Sequence, residues 1–333
     1  MVANSSQQIL EAYRFSIAPM LDCTDRHFRV IFRQISQRAL LYSEMVVAKA
    51  LQHEEGRKLL DFDAIENPIS LQVGGDNPKE LAEAAKLAEA WGYNEINLNI
   101  GCPSPRVQSG NFGACLMANP SQVAKCIEAM KNATKLPVTI KHRTGIDHLD
   151  SDALLIAFVD LIASAGADRF AIHARKAWLE GLNPKQNREI PPLDYSKVEK
   201  IKLRRPTLKI ELNGGLSTPE DCINALKKFD GAMVGRAVYS NPLLWQSMDA
   251  LIFGEKQYSL KASGIIRSLI PYSQKHLSNN GRLWDICRHL LPLVKGVPGA
   301  RSWRHELSQK AQKAKADLNI LETVAQELTE VGL

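Results

Sequence analysis

The chain has 333 residues, of which 45% are hydrophobic and 23% charged, and its formal net charge is +6 at neutral pH. This composition is typical of a globular protein with a large core, and the length suits one barrel domain with an appendage. No apolar stretch approaches the roughly 18 to 20 residues of a membrane-spanning helix, and the start lacks the apolar segment of a signal peptide, so we expect a cytoplasmic protein.

The sequence also lacks the common metal and nucleotide motifs. Its six cysteines are scattered without a C-x-x-C spacing, and no paired histidines complete a zinc site, so we expect reduced thiols and no bound metal. It contains no G-x-G-x-x-G, no G-x-x-x-x-G-K-[ST] and no H-E-x-x-H. A Rossmann dinucleotide domain, a P-loop and a zincin site are therefore unsupported.

Eight short runs with β-strand character alternate with helical patterns over most of the chain. The runs cover residues 15–20, 40–46, 68–75, 95–102, 137–143, 169–175, 208–215 and 231–236. Helical patterns cover residues 77–92, 119–133, 151–165 and 217–228. Eight such alternations predict an α/β fold, the TIM (β/α)8 barrel, and a doubly wound open sheet is the alternative.

The positive charge is concentrated in the last quarter of the chain. From Glu255 to the end, 12 Lys and Arg face 7 Asp and Glu, so this segment carries +5 of the net +6. We expect two domains, a catalytic barrel over residues 1–250 and an all-helical domain over residues 251–333. The basic surface is either an ordinary solvated face or a docking surface for a polyanion such as RNA.

Polar residues recur at the carboxyl ends of the expected strands, where TIM barrels place their active sites. Two of these ends, Asn213-Gly214-Gly215 and Gly235-Arg236, are rich in glycine and follow strands seven and eight. The loops after these strands form the common phosphate site of the fold, which favours a phosphorylated ligand. The other polar strand ends are Glu44, Gln72, Asn97, Asn99, Cys102, Lys141, Arg143, His173 and Arg175.

A flavin mononucleotide (FMN) would give several of these residues a role. Gln72 can both donate to and accept from the pyrimidine edge of the ring. Lys141 can place a positive charge beside the part of the ring that becomes anionic on reduction. The backbone of residues 19–21 could pack against one face of the ring.

Several long motifs follow one another in a characteristic order. They are "APMLDCTDRHFR" (18–29), "LQVGG" (71–75), "NLNIGCPSPRVQSGNFGACLM" (97–117), "HARKAWLEGLNPKQNREIPPLDY" (173–195), "NGG" (213–215), "MVGR" (233–236) and "GRLWDICRHLLPLVKGVPGARSWRHEL" (281–307). Together they resemble the tRNA-dihydrouridine synthases. The segment after strand six is most similar to the bacterial subfamily that acts on D-loop uridines near positions 20 and 20a.

The resemblance implies FMN-dependent reduction of a tRNA uridine to 5,6-dihydrouridine, with NADPH as the reductant of the flavin. It also implies that Cys102 gives the proton to carbon 5 of the uracil while hydride goes to carbon 6. An unperturbed thiol, with a pKa of about 8.5, is mostly protonated at neutral pH, which agrees with a general acid. By the same resemblance FMN is bound by Met20, Leu21, Asp22, Gln72, Lys141 and His173, and its phosphate by Asn213, Gly214, Gly215, Gly235 and Arg236.

Three regions are expected to contact tRNA. In the strand over residues 95–102, we expect Asn99 to contact the flavin or the uracil. The loop over residues 176–195 is long enough to be functional, and its candidate RNA contacts are Lys176, Lys185, Asn187 and Arg188. Arg301 and Arg304, three residues apart in a helical pattern, share one face, which Arg282 and Arg288 are expected to extend. We expect a monomer.

Two other functions are compatible with parts of the sequence. A flavin barrel could act on a free pyrimidine, in the manner of dihydroorotate dehydrogenases, but such a substrate needs neither a basic tail nor the long loop. A tRNA-binding protein without chemistry is the other alternative. The presence of Cys102, Gln72, Lys141 and His173 together argues against it.

Overall fold

The computed structural model describes residues 11–297 and 299–333, so the first ten residues of the expected barrel domain lie outside the described residues. Within these ranges the strands are β1 (Phe15–Ile17), β2 (Leu41–Tyr42), β3 (Val46–Val47), β4 (Ile69–Gly74), β5 (Glu95–Ile100), β6 (Val138–Arg143), β7 (Arg169–His173), β8 (Lys209–Asn213) and β9 (Gly231–Val234). All their pairings are parallel.

The sheet closes into a barrel. Its strand order is β1-β9-β8-β7-β6-β5-β4-β2, and β3 also pairs with β4. The two ends meet where the Leu40 N–H donates to the Phe15 carbonyl at 3.0 Å and the Ile17 N–H donates to the Leu40 carbonyl at 2.9 Å. The predicted TIM barrel is confirmed, and the open sheet is wrong because the edge strands β1 and β2 are joined.

The second barrel position differs from the prediction of one strand over residues 40–46. It holds two short strands, β2 and β3, which both pair with β4. Between them the Ser43 hydroxyl accepts from the Gln72 N–H at 2.9 Å and donates to the Glu44 carbonyl at 2.8 Å. Between β2 and β3, a side chain thus replaces one bond of the ladder with β4.

Helices surround the barrel and continue beyond it. The α-helices in the described ranges are α1 (Arg26–Arg33), α2 (Glu54–Arg57), α3 (Pro78–Trp91), α4 (Pro105–Gln108), α5 (Pro120–Ala133), α6 (Asp152–Ser164), α7 (Tyr195–Arg204), α8 (Pro219–Leu226), α9 (Arg236–Ser240), α10 (Met248–Phe253), α11 (Ala262–Ser268), α12 (Ile270–Ser278), α13 (Leu283–Cys287), α14 (Ala300–Ala311) and α15 (Asn319–Glu330). Short 3-10 helices cover Ala12–Arg14, Ala48–Gln52, Lys58–Leu60, Ala64–Glu66, Gly113–Ala118, Gln186–Arg188, Pro242–Trp245 and Leu291–Val294.

The four helices predicted from periodicity are present as α3, α5, α6 and α8, and α3 shows why they form where they do. The Asn77 side chain accepts from the Lys79 N–H and caps its start, Pro78 occupies the first turn, and Gly92 ends it at a φ of 85°. The described helices include none long and apolar enough to cross a membrane.

Helices α11 to α15 form a helical region after the barrel, in which α11 packs on α15. The expected boundary between residues 250 and 251 falls inside α10. We propose that the division between the two domains lies before α11 instead, because it then interrupts no helix.

The strands alternate between an apolar outer face and a polar inner face. In β5, Ile96, Leu98 and Ile100 are fully buried against the surrounding helices, while Glu95 and Asn97 are buried inside the barrel. The main core therefore lies between the sheet and the helices. The barrel interior holds most of the buried polar side chains of the strands, together with a small apolar cluster that includes Leu40, Ala171 and Met233.

A buried ionic cluster fills the amino-terminal half of the barrel interior. Arg169 pairs with Glu95 and donates from Nε to Glu211 Oε1 at 2.8 Å. Burial raises the pKa of Glu211 to about 7, and the negative charge of Glu95 adds to the rise. Glu95 Oε1 also accepts hydrogen bonds from Tyr42, Ser70 and Thr139. This cluster closes the barrel beneath the candidate site.

Candidate active site

Three side-chain amides form a line across β4 and β5. Gln72 Nε2 donates to Asn97 Oδ1 at 2.8 Å, and Asn99 Nδ2 donates to Gln72 Oε1 at 2.8 Å. Asn97 in turn donates to Thr139 Oγ1 at 2.8 Å. These bonds fix the orientation of the Gln72 amide and leave it one N–H and one lone pair for a ligand.

The Cys102 turn follows β5 directly. Asn99 Oδ1 accepts from the backbone N–H groups of Gly101 and Cys102, each at 3.0 Å. Cys102 is half-buried, and its Sγ lies 3.6 Å from the hydroxyl of Ser104, the residue that caps α4. A Cβ on Gly113, which has a φ of 76°, would lie 2.6 Å from the Cys102 carbonyl oxygen, so only glycine fits there. The turn thus presents the thiol at the mouth of the barrel.

Lys141 lies on the inner face of β6. Its Nζ donates to Asn213 Oδ1 at 3.0 Å, and Asn213 Nδ2 donates to the Met233 carbonyl at 2.8 Å. Burial, together with the positive charge of Arg143, lowers the pKa of Lys141 to about 8. The register of the sheet pairs Lys141 with Asn99, the residue whose Oδ1 accepts from the Cys102 N–H.

Arg143, two residues further along β6, is buried and bonded to three backbone carbonyls. Nε donates to Gly101 at 2.9 Å, and Nη1 donates to Lys176 at 3.1 Å and to Asn187 at 3.0 Å. Burial lowers the pKa of Arg143 to about 10. In the described part of the chain, the ion pairs of the barrel interior belong to Arg169, so Lys141 and Arg143 offer unpaired positive charge to a ligand.

A glycine cradle follows β8. A Cβ on Gly214 would lie 2.5 Å from His173 Cδ2, and one on Gly215 would lie 2.5 Å from the Tyr195 hydroxyl. Both glycines have positive φ, 103° and 77°. Burial and the charge of Arg143 hold the pKa of His173 well below its usual range, so its ring is neutral at physiological pH.

The segment after β9 completes this side of the mouth. A Cβ on Gly235 would lie 3.4 Å from Met20 Sδ, so the turn after β1 adjoins the segment after β9. Arg236 is exposed at the rim, where its Nη1 lies 3.2 Å from Glu189 Oε1.

The turn after β1 lies at the same end of the barrel. Met20 is half-buried, Leu21 is 69% exposed, and Asp22 has a φ of 62°. The Asp22 N–H donates to Glu44 Oε1 at 2.5 Å, and its carbonyl accepts from Arg288 Nη1 at 2.9 Å.

The loop after β7 brings only part of its predicted contacts to the mouth. Arg143 bonds to the carbonyls of both Gly101 and Asn187, so Arg188 follows a residue tied to the Cys102 turn, and its buried Nε has no hydrogen-bond partner among the described residues. Lys185 is exposed. Lys176 lies 2.9 Å from Asp150 Oδ2 and over the ring of Trp178, so its charge is already balanced.

Asn187 requires a correction, because it was predicted to contact RNA. Its side chain is fully buried, Oδ1 accepts from the Trp178 N–H at 2.8 Å, and Nδ2 donates to the carbonyls of Trp178 and Leu182. With both amide hydrogens used inside the loop, Asn187 shapes the loop instead of binding a ligand.

The basic residues of the helical region point in two directions. Arg301 and Arg304 are exposed on α14, as their spacing predicts. Arg288, expected to extend that surface, instead faces the barrel and bonds to Asp22 and Asp25. The sequence suggested no role for Asp25, and indicated Arg143 only as a polar strand end. The sequence does predict that Arg143 faces the site, because it lies two residues after Lys141 in the same strand and therefore shares the inner face.

Comparison with known proteins agrees with this geometry. Residues 16–329 match the family described as Dihydrouridine synthase (Dus). The chain is 50% identical over 311 residues to the tRNA-dihydrouridine(20/20a) synthase of Synechocystis sp., covering 93% of each chain. It is 49% identical over 310 residues to the protein of the same name from Escherichia coli K12, covering 93% of this chain and 90% of the relative.

Proposed function

The chain belongs to the dihydrouridine synthase family, and we propose that it reduces uridine to 5,6-dihydrouridine at positions 20 and 20a of tRNA. Relatives named for these positions share about half of its residues over more than nine-tenths of its length, which supports this substrate. The observation that carries the proposal is that Asn99 joins Cys102 and Lys141 at one barrel mouth, since it is paired with Lys141 on the next strand and accepts from the Cys102 N–H. We further propose that the protein acts as a monomer in the cytoplasm.

The site suits FMN. The Gly214–Gly215 cradle leaves backbone open where a Cβ would collide with neighbouring side chains, and Lys141 and Arg143 offer positive charge to an anionic group. FMN, when bound, supplies the hydride for carbon 6 of the uracil, with NADPH as the proposed source of electrons. We assign its phosphate to Asn213, Gly214, Gly215, Gly235 and Arg236, and its ring to Met20, Leu21, Asp22, Gln72, Lys141 and His173.

Two residues have particular tasks in holding the ring. Gln72, oriented by Asn97 and Asn99, would offer its remaining N–H and lone pair to the pyrimidine part of the ring. Lys141, with a pKa of about 8, is mostly protonated at neutral pH and would supply positive charge to a reduced, anionic flavin.

Cys102 acts as the general acid. Asn99 holds its N–H and Arg143 holds the carbonyl of the preceding residue, so the thiol keeps one position while the substrate changes. The proton moves from Sγ to carbon 5 of the uracil, and solvent then returns a proton to Sγ.

The target uridine must leave the folded tRNA to enter the barrel mouth. Asn99 and the unpartnered Nε of Arg188 are placed to hold the extruded base. Lys185, Arg301 and Arg304 are exposed and suit contacts with phosphates. Lys176 can join them only by leaving Asp150.

An anaerobic reoxidation experiment tests the proposal. The purified protein is photoreduced and mixed with unmodified tRNA, with the same tRNA carrying cytidine at positions 20 and 20a, or with free uridine, while the absorbance of oxidised flavin is followed. We expect reoxidation only with the unmodified tRNA. Reoxidation by free uridine would identify an enzyme of small pyrimidines, and a protein that binds no flavin would refute the cofactor assignment.

A further inference from the structure

The helical region reaches into the barrel mouth through two adjacent residues, Arg288 and His289. Arg288 Nη1 donates to the Asp22 carbonyl at 2.9 Å, while Nη2 donates to the Asp25 carboxylate. His289 is fully buried, and its Nε2 lies 3.0 Å from the same carboxylate. Asp25 also caps α1 by accepting from the Phe28 N–H, so one carboxylate joins the barrel to the tail.

The turn that Arg288 touches is strained. Asp22 has a φ of 62°, a left-handed backbone conformation that residues other than glycine rarely adopt. Its N–H is bonded to Glu44 and its carbonyl to Arg288. A strained residue persists only when its surroundings hold it. The turn is closed internally by the N–H groups of Cys23 and Thr24, which both donate to the Met20 carbonyl, and Asp22 within it is held by one contact from the barrel and one from the helical region.

His289 extends the same connection to a second segment. Because its Nε2 faces a carboxylate, the ring proton belongs on Nε2, and Nδ1 accepts from the Tyr239 hydroxyl 3.2 Å away. Tyr239 lies in α9, the helix that begins at Arg236. Arg288 thus contacts the turn that is proposed to pack against the flavin ring. His289 contacts α9, the helix that carries part of the proposed phosphate site.

We propose that Arg288 and His289 are positioning residues for FMN, through which the helical region holds the cofactor site of the barrel in its binding shape. This inference rests on the proposed function, since it assumes that FMN occupies the mouth. The two residues act through Met20, Asp22 and Tyr239, and neither needs to touch the cofactor. A helical region that served only to dock tRNA would have no need of a guanidinium fork that bonds to both Asp22 and Asp25 of this turn.

The test is a titration of flavin-free protein with FMN, followed by the quenching of flavin fluorescence. Arg288→Ala should weaken FMN binding about tenfold, equivalent to about 1.4 kcal/mol. Arg288→Lys should restore part of this affinity, because an ammonium can pair with Asp25 but lacks the fork that also reaches Asp22. Arg282→Ala, which removes the same charge from an exposed residue that precedes α13 and pairs with Asp285, should bind FMN as the wild type does.

Thermal melting of the flavin-free variants shows whether they are folded. If Arg288→Ala is folded and binds FMN with wild-type affinity, the inference is wrong and the proposed function stands. If Arg288→Ala does not fold, Tyr239→Phe decides, since it removes only the hydroxyl that bonds His289. About threefold weaker FMN binding by Tyr239→Phe supports the inference, and unchanged affinity overturns it. A wild-type protein that binds no FMN overturns the inference and the proposed function together.

Discussion

Arg143 donates from Nε to the carbonyl oxygen of Gly101, 2.9 Å away and next in sequence to Cys102. The same guanidinium donates from Nη1 to the carbonyls of Lys176 and Asn187 in the loop after β7. One buried side chain therefore fixes both the turn that presents the proposed acid and the loop proposed to hold the substrate.

We expect Arg143→Lys to slow flavin reoxidation by tRNA about 10- to 100-fold with little change in bound FMN. A single ammonium cannot bond to three carbonyls on two segments, so the thiol and the loop are no longer held in a fixed position relative to each other. Rapid mixing of the photoreduced variant with tRNA measures the rate. Arg175→Lys is the matched control, because Arg175 bonds to the same loop through Pro191 and Glu189. Equal slowing in both variants would contradict a special role for Arg143.

Cys102→Ala should abolish dihydrouridine formation while leaving FMN content and reduction by NADPH intact. General acid catalysis contributes about 10²- to 10⁴-fold, and alanine offers no proton. Mass spectrometry of the tRNA product and stopped-flow reduction of the flavin separate the two half-reactions. Cys115→Ala, which removes another half-buried thiol, should turn over normally. Normal turnover by Cys102→Ala would require a different proton donor.

The barrel and most of the candidate site follow from local sequence patterns. The alternation in residues 95–100 places Asn97 and Asn99 inside and the isoleucines outside, because successive side chains of a strand face opposite ways. The same rule places Lys141 and Arg143 together. It could not predict the split of the second strand, which depends on the Ser43 hydroxyl finding the Gln72 N–H on a neighbouring strand.

Residues whose roles depend on distant partners were mispredicted. Asn187 stands in a polar loop, where solvent exposure is the usual expectation, yet it folds inward onto the backbone of Trp178. Arg288 stands in a basic tail, but its carbonyl partner is 266 positions earlier in the chain. No spacing rule connects such residues, so only the folded structure distinguishes a docking surface from an internal contact.

His142 should make the stability of the protein depend on pH. Its ring is fully buried between Phe158 and Phe170, facing away from Lys141, and burial lowers its pKa to about 4. The folded pKa lies below the unfolded value of about 6.5. The contribution of the neutral His142 ring to the free energy of unfolding is therefore fully present above pH 6.5 and is lost as the pH falls towards 4.

His142→Asn keeps a side-chain hydrogen-bond donor but has no titratable group, so it should remove this loss of stability at low pH. Urea unfolding at pH 7.5 and pH 5 should show a decrease on the order of 1 to 2 kcal/mol in the wild type that is smaller in the variant. FMN affinity should not change, because His142 lies outside the barrel. If the stability of both proteins depends on pH in the same way, the dependence arises from groups other than His142.

Arg301→Ala combined with Arg304→Ala should weaken tRNA binding and make it less sensitive to salt. Both residues are exposed on one face of α14, and each phosphate that is no longer neutralised should reduce the slope of log K against log salt by roughly 0.7 to 0.9. Binding measured between about 50 and 200 mM salt gives the slope, and flavin absorbance should show an unchanged FMN content. Lys310→Ala is the control on the same helix, since Lys310 lies about 180° from Arg301 at 3.6 residues per turn and faces Glu306. A slope unchanged by the double substitution would show that tRNA docks elsewhere, and a decrease equal to that of Lys310→Ala would indicate only the general charge of the helical region.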